Sequence, residues 1–365
     1  MLSKLSFAIF LILLLGTVSF AHQTSATPAP SAQPSYLEQA TDGIHTLQSW
    51  YTQSTGLYQT TGWWNSANAI TVLANYARVS HSKNYESVFA NTFLQAQNTS
   101  DGFINDYYDD EGWWALAWID VYDLTKEPQY LFMAGFIFTD MANGWDSTCG
   151  GGIWWNKDRT YKNAIANELF LSVAAHLASR SANPAERAQY LAWAQKEWGW
   201  FANSGMINAQ HLINDGLDLT TCKNNQQNTW TYNQGVILGG LTELNKVAPN
   251  PALPAAAQFI AAAALTHLTD TNGVLHDTCE PKCGGDGVQF KGIFVRNLMA
   301  LHEAFPDSRY RKFFDTNAES IWSKSQGSNY QFGQAWSGPF DAGNAGSQSS
   351  ALDAFVAAAA IIRDK

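Results

Sequence analysis

An all-α fold, with about twelve helices closed into a ring of six hairpins, follows from two features of the 365-residue chain. Apolar residues recur at helical spacing through most of it, and no sustained alternation of the kind that marks strands is present. The helical segments also fall into two alternating kinds, with a coarse repeat of roughly 50–70 residues. One kind is apolar along a single stripe. The other, as in Trp113-Trp114-Ala115-Leu116-Ala117-Trp118-Ile119, is apolar around most of its circumference and must be buried on all sides. Buried helices inside and amphipathic helices outside is the simplest way to pack both. An open solenoid would need polar capping repeats, and the chain has none.

The amphipathic set carries clear start signals. Asn183-Pro184 pairs a side-chain cap with a proline in the first turn, and Leu191, Ala194, Trp198 and Phe201 continue that helix at helical spacing. Pro128, Pro251 and Pro306 open similar segments. The buried set is expected to begin near Gly62, Gly112, Tyr161, Trp230, Val288 and Ser347. The residues just before those points should therefore gather at one mouth of the ring. They are rich in glycine, tryptophan, amides and carboxylates, whereas the prolines fall on the opposite rim.

Residues 1–21 read as a secretory signal peptide: Lys4, an apolar run from Phe7 to Leu15, and Ser19-Phe20-Ala21 as a small-x-small cleavage site. Residues 22–35 read as a Ser/Thr/Pro-rich leader, and 36–365 as the folded domain. No later stretch reaches the length of a membrane span, and the C-terminus lacks the spacer and apolar tail of a lipid-anchor signal. A secreted protein, in the medium or the cell wall, is expected. Four cysteines in that setting suggest two disulfides: Cys279–Cys283, close together in a Pro/Gly turn, and by remainder Cys149–Cys222. Free buried thiols are the plainer alternative. Asn98-Thr99-Ser100 is a glycosylation acceptor.

A net charge of −10, with 14% charged and 13% aromatic residues, argues against nucleic acid and anionic membranes as partners and fits neutral polar ligands such as sugars. A monomer without metal or organic cofactor is expected. No histidine pair stands at zinc-ligand spacing, no Gly-x-Ser-x-Gly elbow occurs, and the glycine-rich stretches lack the Lys-Ser/Thr of a phosphate loop.

The candidate chemistry centres on Asp109 and Asp110, within Tyr107-Tyr108-Asp109-Asp110-Glu111-Gly112-Trp113-Trp114. Two adjacent carboxylates repel, so one is held charged and the other protonated. Glycoside hydrolysis needs that division of labour. Neighbouring Cα atoms lie ~3.8 Å apart, so the carboxyls can approach within ~5–6 Å, compatible with the ~5–5.5 Å of retaining enzymes. Helix capping explains one aspartate but not the doublet with Glu111. Calcium binding would want alternating acids, and the metal-diphosphate motif of helical synthases would want an acid where Trp113 stands. Around the pair, Trp63, Trp114 and Trp155 are candidate sugar platforms. Asn68, Asn167, Asp215, Tyr232, Asn233 and Gln234 are candidate hydroxyl or ring contacts, with local backbone capping the alternative for the polar ones. Lys291, in an apolar rim segment, is either a ligand contact or a paired structural lysine.

Taken together, Tyr108-Asp109-Asp110-Glu111-Gly112-Trp113-Trp114-Ala115, Gly151-Gly152-Ile153-Trp154-Trp155, Thr231-Tyr232-Asn233-Gln234-Gly235 and Phe290-Lys291-Gly292-Ile293-Phe294-Val295-Arg296 resemble glycoside hydrolase family 76, the endo-α-1,6-mannanases, from about Trp63 to Asp353. The resemblance implies an (α/α)6 barrel and a retaining mechanism acting on α-1,6-mannan. It implies Asp109 as nucleophile, Asp110 as general acid/base and Asp215 as a substrate contact. The family also includes fungal cell-wall proteins regarded as transglycosylases, which typically carry a lipid-anchor signal. Two further classes remain: a mannan-binding protein without catalysis, which would not need two acids, and a toroid lyase, which would want more cations at its rim than Lys291 and Arg296.

Overall fold

Twelve helices of ten or more residues form among the described residues. A computed structural model describes residues 33–362; the expected signal peptide and nearly all of the leader lie outside them. The helices are α1 Tyr36–Gln48, α2 Trp63–Ser80, α3 Glu86–Gln95, α4 Tyr108–Thr125, α5 Pro128–Ala142 and α6 Ala164–Arg180. They continue with α7 Pro184–Phe201, α8 Thr231–Val247, α9 Ala252–His267, α10 Phe290–Ala304, α11 Ser308–Lys324 and α12 Ala345–Ile362. Ser35 and Glu38 form a reciprocal capping box at α1. Asn183 caps α7 through its side chain and Pro184 occupies the first turn, as the sequence predicts. Pro128 does the same for α5. Two-residue hairpins, Tyr51–Thr52 with Leu57–Tyr58 and Leu217–Asp218 with Lys223–Asn224, supply the only strand pairs among the described residues.

The even-numbered helices form the inner wall. Each contacts the next, α2 to α4, α4 to α6, α6 to α8, α8 to α10 and α10 to α12, and α12 returns to α2, so the ring is closed. Every residue from Ala164 to Ala175 of α6 is buried, the all-round burial expected of an inner helix. The odd-numbered helices lie outside: α5 on α4, α7 on α6, α9 on α8 and α11 on α12. This is the (α/α)6 barrel. The first helix of the chain, α1, packs on the last, α12. Gly43 makes that approach possible, because a Cβ there would lie 2.8 Å from the Leu352 side chain. Gly235 does the same between inner helices, where a Cβ would fall 2.5 Å from the Phe294 backbone.

One boundary differs from expectation. The fourth helix begins at Tyr108, not near Gly112, so Asp109, Asp110 and Glu111 sit in its first turn rather than in the loop before it. Carboxylates are favoured there by the unpaired N–H groups and the helix dipole. Cys149–Cys222 and Cys279–Cys283 are both bridged. Among the described residues no helix is long and apolar enough to cross a membrane.

Candidate active site

The loops that precede the inner helices meet at one mouth of the barrel, and the first turn of α4 projects the acidic run into it. Tyr107 is extended and bridges to Asn156, and the Tyr108 N–H donates to the Trp155 carbonyl at 3.0 Å. That pairing fixes the start of α4 against the loop before α6. Trp155 Nε1 then donates to Asp109 Oδ2 at 3.2 Å. Asp109 Oδ1 is buried without a partner. Asn105 Nδ2 donates to Asp110 Oδ2 at 2.7 Å, while the Asn105 N–H donates to Glu111 Oε1 at 3.2 Å.

Burial is the main force on these carboxyls. It raises Asp109 well above the usual carboxylate range, and the neighbouring Asp110 adds to the rise. Asp110 is pushed up to about 6 by burial, opposed by the Asn105 hydrogen bond and reinforced by Asp286. Glu111 is wholly buried and faces elsewhere: Lys157 Nζ bridges Glu111 Oε1 at 3.0 Å and Asp140 Oδ2 at 2.9 Å. Burial opposes the Lys157 charge, but the two carboxylates outweigh it and raise its pKa.

The loop bearing Trp155 is held from beneath. Lys162, fully buried, donates to Asp146 Oδ1 at 2.9 Å and to the carbonyls of Thr148, Gly151 and Gly152 at 2.9, 2.6 and 2.9 Å. The Cys149–Cys222 bridge ties this loop to the one before α8. On that second loop Asp215 Oδ2 accepts from the Tyr161 hydroxyl at 2.7 Å, and Tyr161 accepts from Asn225 at 2.7 Å. Burial raises Asp215 despite the donors around it. Rings cross the mouth in a column: Trp64 to Trp113 at 5.7 Å, Trp113 to Tyr232 at 6.4 Å, and Tyr232 to Phe290 at 3.8 Å, all near-parallel. Trp64 Nε1 donates to Asp286 Oδ1 at 3.1 Å. Tyr232 keeps its proton strongly, because it is buried and lies in the field of Asp215 and Asp109.

The model of glycosyl hydrolase family 76 matches residues 35–364. The chain belongs to that family. A mannan endo-1,6-α-mannosidase of Candida albicans is 26% identical over 292 residues, 73% of this chain and 64% of that protein. The chain thus spans somewhat less than two thirds of that relative. Among solved structures, a Listeria innocua protein aligns with a TM-score of 0.82 at 24% identity, covering 91% of this chain and 99% of that one. An inactive variant of an α-1,6-mannanase from Salegentibacter, with two consecutive aspartates replaced by alanine and α-1,6-mannotetraose bound, aligns at 0.81 and 23% identity. It covers 89% of this chain and 99% of that one.

Within this family 76 barrel the sequence-predicted residues separate into two groups. Asp109, Asp110, Trp155, Asp215 and Tyr232 come together as described, and half-buried Trp63 packs beside them against Trp114, ring centroids 5.6 Å apart. Asn233 is buried with both polar atoms unpartnered, and Asn68 accepts from Arg296. Four assignments are corrected. Trp114 is 0% exposed and stacks on Trp118, so neither face is open to a sugar. Asn167 is spent on Ile153 and the Asn163 carbonyl, and Gln234 on both backbone groups of Ile213 and the Trp230 carbonyl. These amides clamp loops. Lys291 is buried, paired with Glu280 and donating to the Gln334 carbonyl, so it is a structural lysine.

Sequence reasoning missed Asn105, Tyr161, Asp286 and Glu168. The first two reveal themselves only through a partner distant in sequence or in the turn ahead of α4. Glu168 is wholly buried with both oxygens unpartnered, and burial raises its pKa far above the normal range, with Asp215 contributing. Its place one residue after Asn167, inside an apolar helix, was the available signal. Among the described residues no group of three or more metal-ligating side chains is arranged to hold an ion.

Proposed function

We propose that this chain is a secreted, retaining endo-α-1,6-mannanase. The observation that carries the proposal is the consecutive pair Asp109–Asp110, both raised by burial, in the first turn of an inner helix beside Trp155 and Tyr232. The relatives named mannan endo-1,6-α-mannosidases support the substrate, as does the α-1,6-mannotetraose held by the Salegentibacter variant. That variant is inactive when two consecutive aspartates are replaced, which supports the pair as the reacting groups. Two disulfides and an exposed Asn98 accord with an oxidising, glycosylating export route.

In this reading Asp109 attacks the anomeric carbon of an α-1,6-linked mannosyl unit. Asp110 gives its proton to the departing glycosidic oxygen as that C–O bond breaks. A mannosyl ester on Asp109 results, and Asp110 then takes a proton from the water that cleaves it, restoring both groups. Burial raises both carboxyls, and Asp110 adds to the rise of Asp109, so the pair titrates as a unit and holds one proton between its members. Asp215, Tyr232, Trp63 and Trp155 line the sugar path. The chain acts as a monomer.

The test is incubation with linear α-1,6-mannooligosaccharides, followed by NMR of the products. Shorter oligomers appearing first as the α-anomer support the proposal. The β-anomer first would overturn retention, longer products would indicate transfer to a sugar acceptor, and no change would overturn the mannanase reading.

A further inference from the structure

The one-turn helix Gly284–Gly287 stands at the mouth, in the loop before α10, and the proposed mechanism leaves it unused. It is held from both ends. The Cys279–Cys283 bridge packs directly on it, since a Cβ on Gly287 would lie 2.8 Å from the Cys283 Cβ and 3.1 Å from the Cys279 Sγ. Gln289, just beyond the turn, accepts from Asn65 Nδ2 at 2.8 Å. Its own Nε2 donates to the Asn65 carbonyl at 3.0 Å and to Ser349 Oγ at 2.7 Å. The turn is thereby fastened to the first turns of α2 and α12.

Asp286 is the polar side chain that this turn presents. It is exposed, and an exposed carboxylate is ordinarily no more than a solvated one. Two observations set Asp286 apart. Its Oδ1 accepts from Trp64 Nε1 at 3.1 Å, which fixes the rotation of a half-buried indole already stacked on Trp113 at 5.7 Å. Its charge also acts on Asp110, whereas Asp109 takes its donor from Trp155, on the loop before α6. Asp286 and Trp64 thus belong to the Asp110 side of the pair. In glycoside hydrolysis the proton donor stands beside the glycosidic oxygen, so groups on its side meet the departing sugar. Asp286 Oδ2 has no protein donor among the described residues.

We propose that Asp286 and Trp64 bind the mannosyl unit on the leaving-group side of the scissile bond, with Asp286 Oδ2 accepting one of its hydroxyls and the indole offering it an apolar face. A hydrogen bond to a carboxylate is about twice as strong as one between neutral groups, and an indole suits a sugar's C–H surface while its N–H stays bonded elsewhere. The inference rests on the mannanase reading. It adds to that reading a residue that selects a sugar, rather than any good leaving group, at this position.

The test is steady-state kinetics on α-1,6-mannotetraose and on an aryl glycoside of α-1,6-mannobiose, whose departing group carries no sugar hydroxyls. Asp286→Ala should lower kcat/KM on the tetraose about tenfold more than on the aryl glycoside, a difference of ~1.4 kcal/mol, and chiefly through KM. Asp286→Asn, which keeps an acceptor for Trp64 but no charge, should show a smaller loss with the same selectivity. Equal losses on the two substrates would make Asp286 a support of the mouth alone and overturn the proposal, as would an undiminished rate on the tetraose. If the unaltered protein turns over neither substrate, the mannanase reading falls and this inference with it. Turnover by the unaltered protein together with an unselective Asp286→Ala removes this inference only.

Discussion

Asp109 and Asp110 divide one proton, and the pH dependence of turnover should follow the pair rather than either residue. In the proposed mechanism it is the singly protonated pair that reacts. Below about 6, where Asp110 also takes a proton, the nucleophile is lost, so kcat/KM should fall toward acid. The alkaline limb reflects loss of the pair's remaining proton. A flat profile across the acid range would contradict this arrangement. Asp109→Asn should abolish turnover with an unchanged melting curve, and Asp110→Asn should cost about 10²–10⁴-fold on glycans. The Asp110→Asn loss should shrink on aryl mannosides whose leaving group needs no proton, which steady-state assays on both substrates would reveal. Trp155→Phe keeps the ring but removes the donor to Asp109, and should lower kcat more than it raises KM.

At the level of elements, the proposed catalysis depends on a loop that one buried cation ties together. Lys162→Met would remove one donor from Asp146 and leave the carbonyls of Thr148, Gly151 and Gly152 without the lysine, a destabilising change of about 1–3 kcal/mol by the usual cost of unsatisfied buried groups. Urea unfolding should show a lower midpoint with unchanged slope, and kcat should fall as Trp155 loses its support. The helices themselves were legible in the sequence, since all-round apolarity identified the inner set and proline-led caps the outer one. The start of α4 was misplaced by four residues, because the aromatic run after Gly112 outweighed the acidic first turn. The carboxylate doublet stands out in the sequence because charge so concentrated has few other uses. Asn167, Gln234 and Lys291 do not, since a polar residue at an inner-helix start looks the same whether it faces a sugar or clamps a loop. Their partners, Ile153, Ile213 and Glu280, sit 14, 21 and 11 residues away, beyond any local pattern.

Closure of the ring makes the two ends of the chain interdependent. The last inner stave, α12, touches α2 and α10, and carries α1 and α11 on its outer side. It also supplies Gln348, which accepts from the Phe332 N–H at 2.9 Å and donates to the Gly43 carbonyl at 2.9 Å, and Asp353, which pairs with Arg296. A chain ending before Ala345 would expose the apolar flanks of α2 and α10 to water and leave Arg296 buried without its carboxylate. Losses of that kind act together, since a barrel missing one of six staves has two unpaired edges and no second core to fall back on. Such a truncation should show no cooperative thermal transition by calorimetry, whereas a nick in the exposed one-turn helix at Gly284-Gly285, between staves, should leave the transition in place. Retention of a sharp transition in the truncated chain would mean that the inner ring does not fold as a unit, and that the active mouth is built by its loops alone.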